Sequence, residues 1–159
     1  MLLYRSKGLG FKYSTCGAII TSVFDINIPA DKYKHNVEAE NKELEIENRY
    51  MHGRMTEDGR YMQTVKVWQE AKDKVDSGIK EALGQFNPVW MMANSGARGN
   101  MGQISQLCGM RGLVRDPSGK IIELPIKSSY RDGLSVLDDF ISSHGGRNGL
   151  ADTYLKKAQ

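Results

Sequence analysis

The sequence predicts a mainly α-helical protein with minor β structure, in which a long antiparallel helical hairpin stands on a small helical base. Residues 31 to about 51 contain no glycine or proline and are rich in Glu and Lys, which favours a helix. Residues from about 57 to 83 carry apolar side chains at the spacing of a heptad seam: Tyr61, Val65, Trp68, Val75 and Ile79. Two helices of this length joined by a short turn form a hairpin about 30 Å long.

Composition places the chain among ordinary globular proteins. Its 159 residues suit one domain or a piece of a larger protein, and a hydrophobic content of 40% is sufficient for a core. The formal charge of +3 excludes a histone-like tail and an acidic disordered segment. Cys16 and Cys108 lie far apart without a CxxC pair, which indicates a reduced, cytoplasmic chain. The sequence contains no apolar run long enough to predict a membrane span.

Residues 1–30 are expected to form an extended lead-in. A glycine-containing loop precedes the β-branched and apolar run at residues 17–24, which favours a short strand. Pro29 then stands where a helix can begin, because the missing N–H of proline costs nothing in a first helical turn.

Residues 31–84 form the predicted hairpin, and its ends carry recognisable signals. Gly53 suits the position after a helix, and Thr56 suits the N-cap of the next one. Gly84 closes the second helix. The apolar side chains of the first helix form one thin stripe, at Tyr33, Val37, Leu44 and Met51.

Residues 85–128 predict short helices and a strand. Pro88 begins an apolar helix that runs to Ala93, and a second helix is expected through Gln103 to Leu107. The sequence at 116–119, Asp-Pro-Ser-Gly, is typical of a type I turn. The isoleucine-rich stretch 121–126 suits a strand.

Residues 129–159 predict a final helix in two parts. A helix is expected from Tyr130 to Phe140, an interruption at His144–Arg147, and a second helical part from Leu150 to Lys157. The interruption is expected because Gly145 and Gly146 weaken a helix interior.

The segment 95–100, Ser-Gly-Ala-Arg-Gly-Asn, is a candidate anion site. Glycines around Arg98, just before a helix, allow backbone N–H groups and a guanidinium to face an anion. The alternative is a tight turn with a surface arginine. A metal site is not predicted, because His35, His52 and His144 lie in three different elements without ligand spacing. Cys108 is expected to be a small buried side chain rather than a nucleophile.

The hairpin itself admits two interpretations. A long and polar two-helix projection is either a plain structural coiled coil or a post on which partner helices dock. The pattern alone leaves both open.

Four long motifs identify the chain as similar to a known family. They resemble, in order, the largest subunit of multisubunit RNA polymerase of the bacterial β′ type. The motifs lie at residues 86–100 (FNPVWMMANSGARGN), 103–113 (QISQLCGMRGL), 122–126 (IELPI) and 140–153 (FISSHGGRNGLADT).

The resemblance implies an architecture for each part of the chain, as a fragment of a larger multidomain subunit. The hairpin at 31–84 would be the rim helices beside the secondary channel, through which nucleotides enter. Residues 85–128 would contain the F-loop, and 129–159 would be the N-terminal half of the bridge helix, which flexes during translocation.

The resemblance also implies roles for individual residues. Arg98 would contact the phosphates of the incoming nucleotide triphosphate, and no catalytic residue or metal ligand is expected. The residues expected to support the F-loop and bridge helix are Gln103, Gln106, Gly109, Met110, Arg111 and Gly112. The bridge hinge would be His144, Gly145, Gly146 and Arg147. The hairpin tip would dock partners through Met51, His52, Arg54, Met55 and Arg60.

The implied function is that of a polymerase segment. It would shape the nucleotide entry channel, support substrate positioning and translocation, and dock channel-binding transcription factors such as transcript-cleavage factors. Its partners would be the β subunit and the rest of β′, with DNA and RNA bound only in the assembled enzyme. The family's aspartate triad, which holds Mg²⁺, has no match here, so this segment is expected to bind no cofactor and to be inactive alone. The alternative is a stand-alone helical-hairpin interaction module without catalysis.

The final helix departs from the family pattern. Asn148 stands where relatives have Lys, Tyr154 where they have Ala, and Lys157 where they have Thr. Asp139 replaces a usual aromatic residue. These changes make the segment more polar than in the family.

Overall fold

The computed structural model describes residues 1–18, 20–116 and 119–157, with side chains described as far as residue 146. Its elements are six α-helices and one short 3₁₀ helix. The helices are α1 (Leu2–Cys16), α2 (Lys32–Met51), α3 (Glu57–Leu83), α4 (Pro88–Asn94), α5 (Met101–Cys108) and α6 (Val136–Lys157), with the 3₁₀ turn at Val23–Asp25. Two isolated antiparallel bridges, Gly112 with Ile126 and Arg115 with Ile121, supply the minor β component. The predicted mainly α class is confirmed.

The α2–α3 hairpin forms as the sequence predicts, and its ends follow the expected signals. Gly53 adopts φ +68°, a conformation that favours glycine, and ends the turn after α2. The Thr56 side chain accepts a hydrogen bond from the Gly59 N–H at 3.3 Å and caps α3. Gly84 adopts φ +72° at the other end of α3.

The face of α2 that packs on α3 differs from the predicted stripe. Tyr33, Val37, Leu44 and Met51 are all exposed. The buried residues of α2 are Lys32, Asn36, Ala39 and Ile46. The apolar pattern gave the wrong face because two of these buried residues are polar: Lys32 is paired with Asp132, whereas the Asn36 Oδ1 atom has no partner among the described residues. Ala39, which has almost no side chain, allows α2 to approach Trp68 of α3 closely.

Two clusters of buried side chains join the hairpin to the base. In the first, Trp68 and Ala71 of α3 contact Ala39 and Met110. In the second, the C-terminal end of α3 packs on α5 and on half-buried residues of α4; its buried members are Ile79, Leu83, Ile104 and Cys108. The base therefore packs against the part of α3 that runs from Trp68 to Leu83.

The lead-in is the first correction. Residues 2–16 form α1 instead of a loop, and residues 23–25 form a 3₁₀ turn instead of a strand. An isolated strand needs a neighbour for its backbone hydrogen bonds, whereas a helix satisfies them internally. Ser22 and Asp25 close the 3₁₀ turn with a reciprocal capping box.

The predicted strand at 121–126 is the second correction. It pairs with the chain before it through hydrogen bonds such as Ile122 N to Val114 O at 2.8 Å and Ile126 N to Gly112 O at 3.0 Å. The two bridges differ in register, because residues 113–114 lie opposite residues 122–125, so isolated bridges form in place of a strand. The Gly119 N–H donates to the Asp116 carbonyl at 2.8 Å, as in the predicted turn, while Pro117 and Ser118 lie outside the described residues.

The final helix is the third correction. It begins at Val136 rather than Tyr130, because Gly133 adopts φ +87° and cannot continue a helix. It also runs without interruption through His144–Arg147. A Cβ atom at Gly145 would collide with the Val114 side chain. The glycine therefore lets the helix pass close to Val114, and it does not break the helix.

Candidate functional site

The hairpin tip presents most of its predicted docking residues to solvent. Met51, His52 and Arg54 are exposed, and Met55 is half-buried against the first turn of α3. The Nδ1 atom of His52 lies 2.6 Å from the Asn48 carbonyl, which fixes the imidazole at the end of α2. The tip thus combines an exposed thioether, an imidazole and a guanidinium on a hydrogen-bonded turn.

Arg60 occupies a different position from the other tip residues. Its guanidinium donates to both carboxylate oxygens of Glu123, at 2.6 and 3.2 Å, and stacks on the Tyr50 ring at 5.4 Å from the centroid. The hydrogen bond to Glu123 raises the pKa of Arg60 in spite of its burial. The structure places Arg60 in a clamp between α3 and the 121–126 segment.

Three further polar anchors join the hairpin to the segments at 121–132. The Tyr61 hydroxyl accepts from the Ile121 N–H and donates to the Ile121 carbonyl, both at 3.1 Å. Lys127 donates to Glu40 of α2 at 2.7 Å and lies over the Trp68 ring.

The third anchor is the ion pair of Lys32 with Asp132. The Lys32 side chain is 1% exposed. Burial alone would raise the pKa of Asp132, but the hydrogen bonds from Lys32 and Ser129 outweigh it and lower that pKa. Heptad spacing assigns the seam to apolar residues, so it missed Lys32. The only sequence feature that marks Lys32 is its position among charged residues directly after the turn at Pro29.

Arg98 lies in an exposed loop between α4 and α5. Gly96 and Gly99 on either side adopt φ +71° and +82°, which require glycine. The Asn100 side chain accepts from the Gln103 N–H at 2.9 Å and caps α5. The loop therefore projects the Arg98 guanidinium into solvent beside a helix N-terminus.

The predicted F-loop support residues divide between surface and core. Gln103 is exposed on α5, and the carbonyl of half-buried Gln106 accepts from the Tyr130 N–H at 3.1 Å. Gly109 is buried so tightly that a Cβ atom there would lie 3.0 Å from the Ile79 side chain. Met110 is completely buried in the Trp68 cluster. Gly109 and Met110 thus pack the base against α3.

Arg111 and Gly112 link α5 to the segments that precede α6. The Arg111 guanidinium donates to the Tyr130 hydroxyl and stacks on that ring. Burial lowers the pKa of Arg111. Gly112 exchanges backbone hydrogen bonds with Ile126 at 2.9 and 3.0 Å, and a Cβ atom there would lie 3.1 Å from Lys72. These contacts position the start of α6 relative to α3.

The predicted hinge residues lie within one continuous helix. The His144 ring stacks on Phe140 with centroids 6.4 Å apart. Gly145 packs against the chain at Val114, whereas Gly146 faces open space. Arg147 has its backbone in α6, and its side chain lies outside the described part. Flexing of this helix stays a prediction.

Neither a metal-ligand cluster nor a reactive buried thiol is found among the described residues. Within 1–18, 20–116 and 119–157, no three His, Cys, Asp or Glu side chains converge as a metal-ligand set. Burial raises the pKa of the Cys108 thiol to about 11, which leaves it protonated at neutral pH. Over the same residues, none of the helices has the length and hydropathy to cross a membrane.

Comparison with known proteins places the chain in a family. The family model described as RNA polymerase Rpb1, domain 4, matches residues 37–131. The DNA-directed RNA polymerase subunit beta' of Chloroflexus aggregans is 53% identical over 97% of this chain, and that of Caldicellulosiruptor saccharolyticus is 53% identical over 99%. The chain spans 10% and 14% of the lengths of these two relatives. It therefore belongs to the RNA polymerase largest-subunit family, as a segment of the bacterial β′ type.

Proposed function

We propose that this segment works within an assembled DNA-directed RNA polymerase, where it shapes the nucleotide entry channel, helps to position the substrate and docks channel-binding regulators. Its partners are the rest of β′ and the β subunit. The polymerase holds its catalytic Mg²⁺ on residues outside this segment. The observation that carries the proposal is a stiff hairpin, anchored at its base and exposed at its tip, in a chain of the β′ family.

Docking at the tip is supported by how the hairpin is held. A post that receives a partner must resist bending, and the Arg60–Glu123 and Lys127–Glu40 contacts attach α3 and α2 to the segment at 121–127. Arg60 serves docking indirectly, by fixing the tip, whereas Met51, His52 and Arg54 are free to contact a partner surface. Pre-organisation of this kind lowers the entropic cost of binding.

Substrate positioning by Arg98 is supported by its loop. Two glycines with positive φ hold the guanidinium outward next to the first turn of α5, and a guanidinium recognises phosphate oxygens in a bidentate manner. The role therefore fits an anionic ligand such as a nucleotide triphosphate.

The docking role is tested by charge reversals in a polymerase that carries this segment. Arg54→Glu at the tip is expected to weaken binding of a transcript-cleavage factor several-fold, because it reverses an exposed charge at the contact. Lys66→Glu reverses a cation that is 76% exposed on the shaft of α3, and it should leave binding unchanged. Equal binding by all three polymerases would contradict the docking role.

The substrate role is tested by Arg98→Ala in the same polymerase. The apparent KM for nucleotides should rise several-fold, and Arg98→Lys should restore part of the loss. An unchanged KM would favour the tight-turn alternative for this loop. If the unsubstituted 159-residue chain fails to associate with the remaining polymerase polypeptides in native mass spectrometry, the stand-alone interaction module replaces the polymerase function.

A further inference from the structure

Hydrogen bonds hold the first half of the Arg98 loop, residues 95–100, against the end of α4. The Ser95 N–H donates to the Met91 carbonyl at 3.0 Å, and the Arg98 N–H donates to the Met92 carbonyl at 3.3 Å. The Ser95 hydroxyl accepts from the Ala97 N–H at 3.4 Å. The backbone is therefore fixed on the N-terminal side of Arg98, and its course on the other side depends on the two residues that follow.

Asn100 fixes the second half of the loop to α5. Its side-chain oxygen accepts from the Gln103 N–H at 2.9 Å, and its carbonyl accepts from the Gln103 and Ile104 N–H groups at 3.1 and 3.2 Å. A side-chain acceptor stabilises a helix start because the first N–H groups have no partners within the helix. Asn100 is exposed, so its side chain acts through this bond rather than through packing. Only Gly99 separates this attachment from Arg98.

Helix α5 is a fixed support for the attachment. Its buried residues pack against the C-terminal end of α3, and the Ser105 hydroxyl donates to the Asp76 carboxylate of α3. The Gln103 side chain lies beside the loop, because a Cβ atom at Gly99 would be 3.4 Å from its Oε1 atom. Functional side chains are held in place when the residues behind them are fixed by packing and hydrogen bonds. The loop is therefore connected through Asn100 to the core of the molecule.

We propose that Asn100 is a positioning residue for Arg98. Its side chain holds the start of α5, and Gly99, at φ +82°, carries that constraint to the Arg98 backbone. The guanidinium is then already directed toward the phosphates of the nucleotide triphosphate, and it loses less conformational freedom on binding. Asn100 itself does not contact the nucleotide. The inference rests on the proposed function, because it needs the contact between Arg98 and the phosphates.

RNA synthesis by a polymerase that carries this segment tests the proposal. Asn100→Ala removes the side-chain acceptor and should raise the apparent KM for nucleotides several-fold while kcat stays unchanged. Asn100→Ser should return the KM to near the unsubstituted value, because serine caps a helix about as well as asparagine does. An unchanged KM in Asn100→Ala, a fall in kcat alone, or no recovery in Asn100→Ser would each overturn the proposal.

Thr56→Ala is the matched control, because it removes the same kind of cap from another helix. The Thr56 hydroxyl accepts from the Gly59 N–H at the N-terminal end of α3, whereas α5 packs on the C-terminal end of α3. Loss of this cap should leave the KM for nucleotides unchanged. An equal rise in KM from Thr56→Ala would overturn the specific role of Asn100.

A double variant distinguishes positioning from direct contact with the nucleotide. If Asn100 acts only through Arg98, the Arg98→Ala polymerase and the polymerase with both Arg98→Ala and Asn100→Ala should have the same KM. A further rise in KM in the double variant would overturn the proposal, because Asn100 would then affect nucleotide binding independently of Arg98.

Hydrogen exchange of the free 159-residue chain tests the cap itself. The Gln103 amide should exchange several-fold faster in Asn100→Ala than in the unsubstituted chain, and Asn100→Ser should retain the slower rate. Equal exchange rates in Asn100→Ala and the unsubstituted chain would overturn the proposal, because the side chain would then hold nothing in place.

The failure of this inference is distinguishable from the failure of the proposed function. If Arg98→Ala raises the KM but Asn100→Ala does not, the positioning role of Asn100 alone is wrong. If Arg98→Ala leaves the KM unchanged, the substrate role of Arg98 is wrong, and the positioning role is wrong with it.

Discussion

The α2–α3 hairpin and helix α1 are both helical, yet only the hairpin has a core. Six residues of α3 are buried, from Thr64 to Leu83, whereas α1 has none. Helix α1 nevertheless carries large apolar side chains, among them Leu3 and Phe11, which are 86% and 65% exposed. The difference teaches that the stability of this chain resides in the hairpin and base, to which α1 contributes no buried side chain.

The largest expected effect comes from Trp68, at the centre of the hairpin core. Trp68→Ala should lower the free energy of unfolding by about 3–5 kcal/mol, because it removes a large buried side chain and its hydrogen bond to Glu43. Leu3→Ala on α1 is the matched truncation in the other region and should change it by less than about 0.5 kcal/mol. Urea denaturation followed by circular dichroism measures both. Similar losses of unfolding free energy for the two variants would contradict the conclusion that stability resides in the hairpin and base rather than in α1.

The two adjacent glycines of α6, Gly145 and Gly146, should respond in opposite directions to substitution by alanine. Gly145→Ala should cost about 1–3 kcal/mol, because the new methyl group would collide with Val114. Gly146→Ala should gain up to about 1 kcal/mol, because nothing lies within 4 Å of its Cβ position and alanine favours a helix. Hydrogen exchange of the α6 amides reports the two effects. Equal gains from both variants would show that α6 does not rest on Val114.

The Arg60–Glu123 clamp tests whether the hairpin and base behave as one unit. A double-mutant cycle of Arg60→Leu and Glu123→Gln should give a coupling energy of about 1 kcal/mol, because the pair is bidentate but 19% and 33% exposed. Thermal denaturation of the four proteins provides the values. A coupling near zero would mean that this ion pair adds nothing to the attachment that Tyr61 makes between α3 and the 121–126 segment.

Sequence reasoning succeeded where a residue's partner is local. Gly53, Thr56 and Gly84 mark the ends of the hairpin helices, and each acts through its own backbone or a neighbour three residues away. The buried face of α2 could not be predicted in the same way. Its Lys32 is paired with Asp132, 100 residues later, and the spacing of apolar residues gives no information about such a distant partner.

The residues of the candidate site show the same difference between local and distant partners. The exposed tip and the Arg98 loop follow from glycines and caps that are visible in the sequence. The clamp role of Arg60 depends on Glu123, which tertiary folding brings from 63 residues away. Family motifs identified the chain, but they did not separate residues that hold the hairpin from residues that face a partner.

The smallest expected effect is a pH dependence from Asp76, beneath the hairpin where α3 meets α5. Burial raises the pKa of Asp76. The Ser105 hydroxyl donates to its carboxylate and offsets part of this increase. The folded state therefore binds this proton more tightly than the unfolded state does, and Asp76 makes the protein less stable as pH rises through the folded-state pKa. Asp132, with its lowered pKa, has the opposite sign and loses stability as pH falls.

The contribution of Asp76 to the pH dependence is obtained by comparing the unfolding free energies of wild type and an Asp76 variant at each pH. Asp76→Asn retains Asp132, so the difference in unfolding free energy between variant and wild type should move in favour of the variant as pH rises above the usual aspartate range. Ser105→Ala removes a hydroxyl that lowers the pKa of Asp76, so it should move the transition to higher pH. Denaturation curves between acidic and neutral pH supply the comparison. A difference that does not change with pH would show that Asp76 is as well solvated in the folded hairpin as in the unfolded chain.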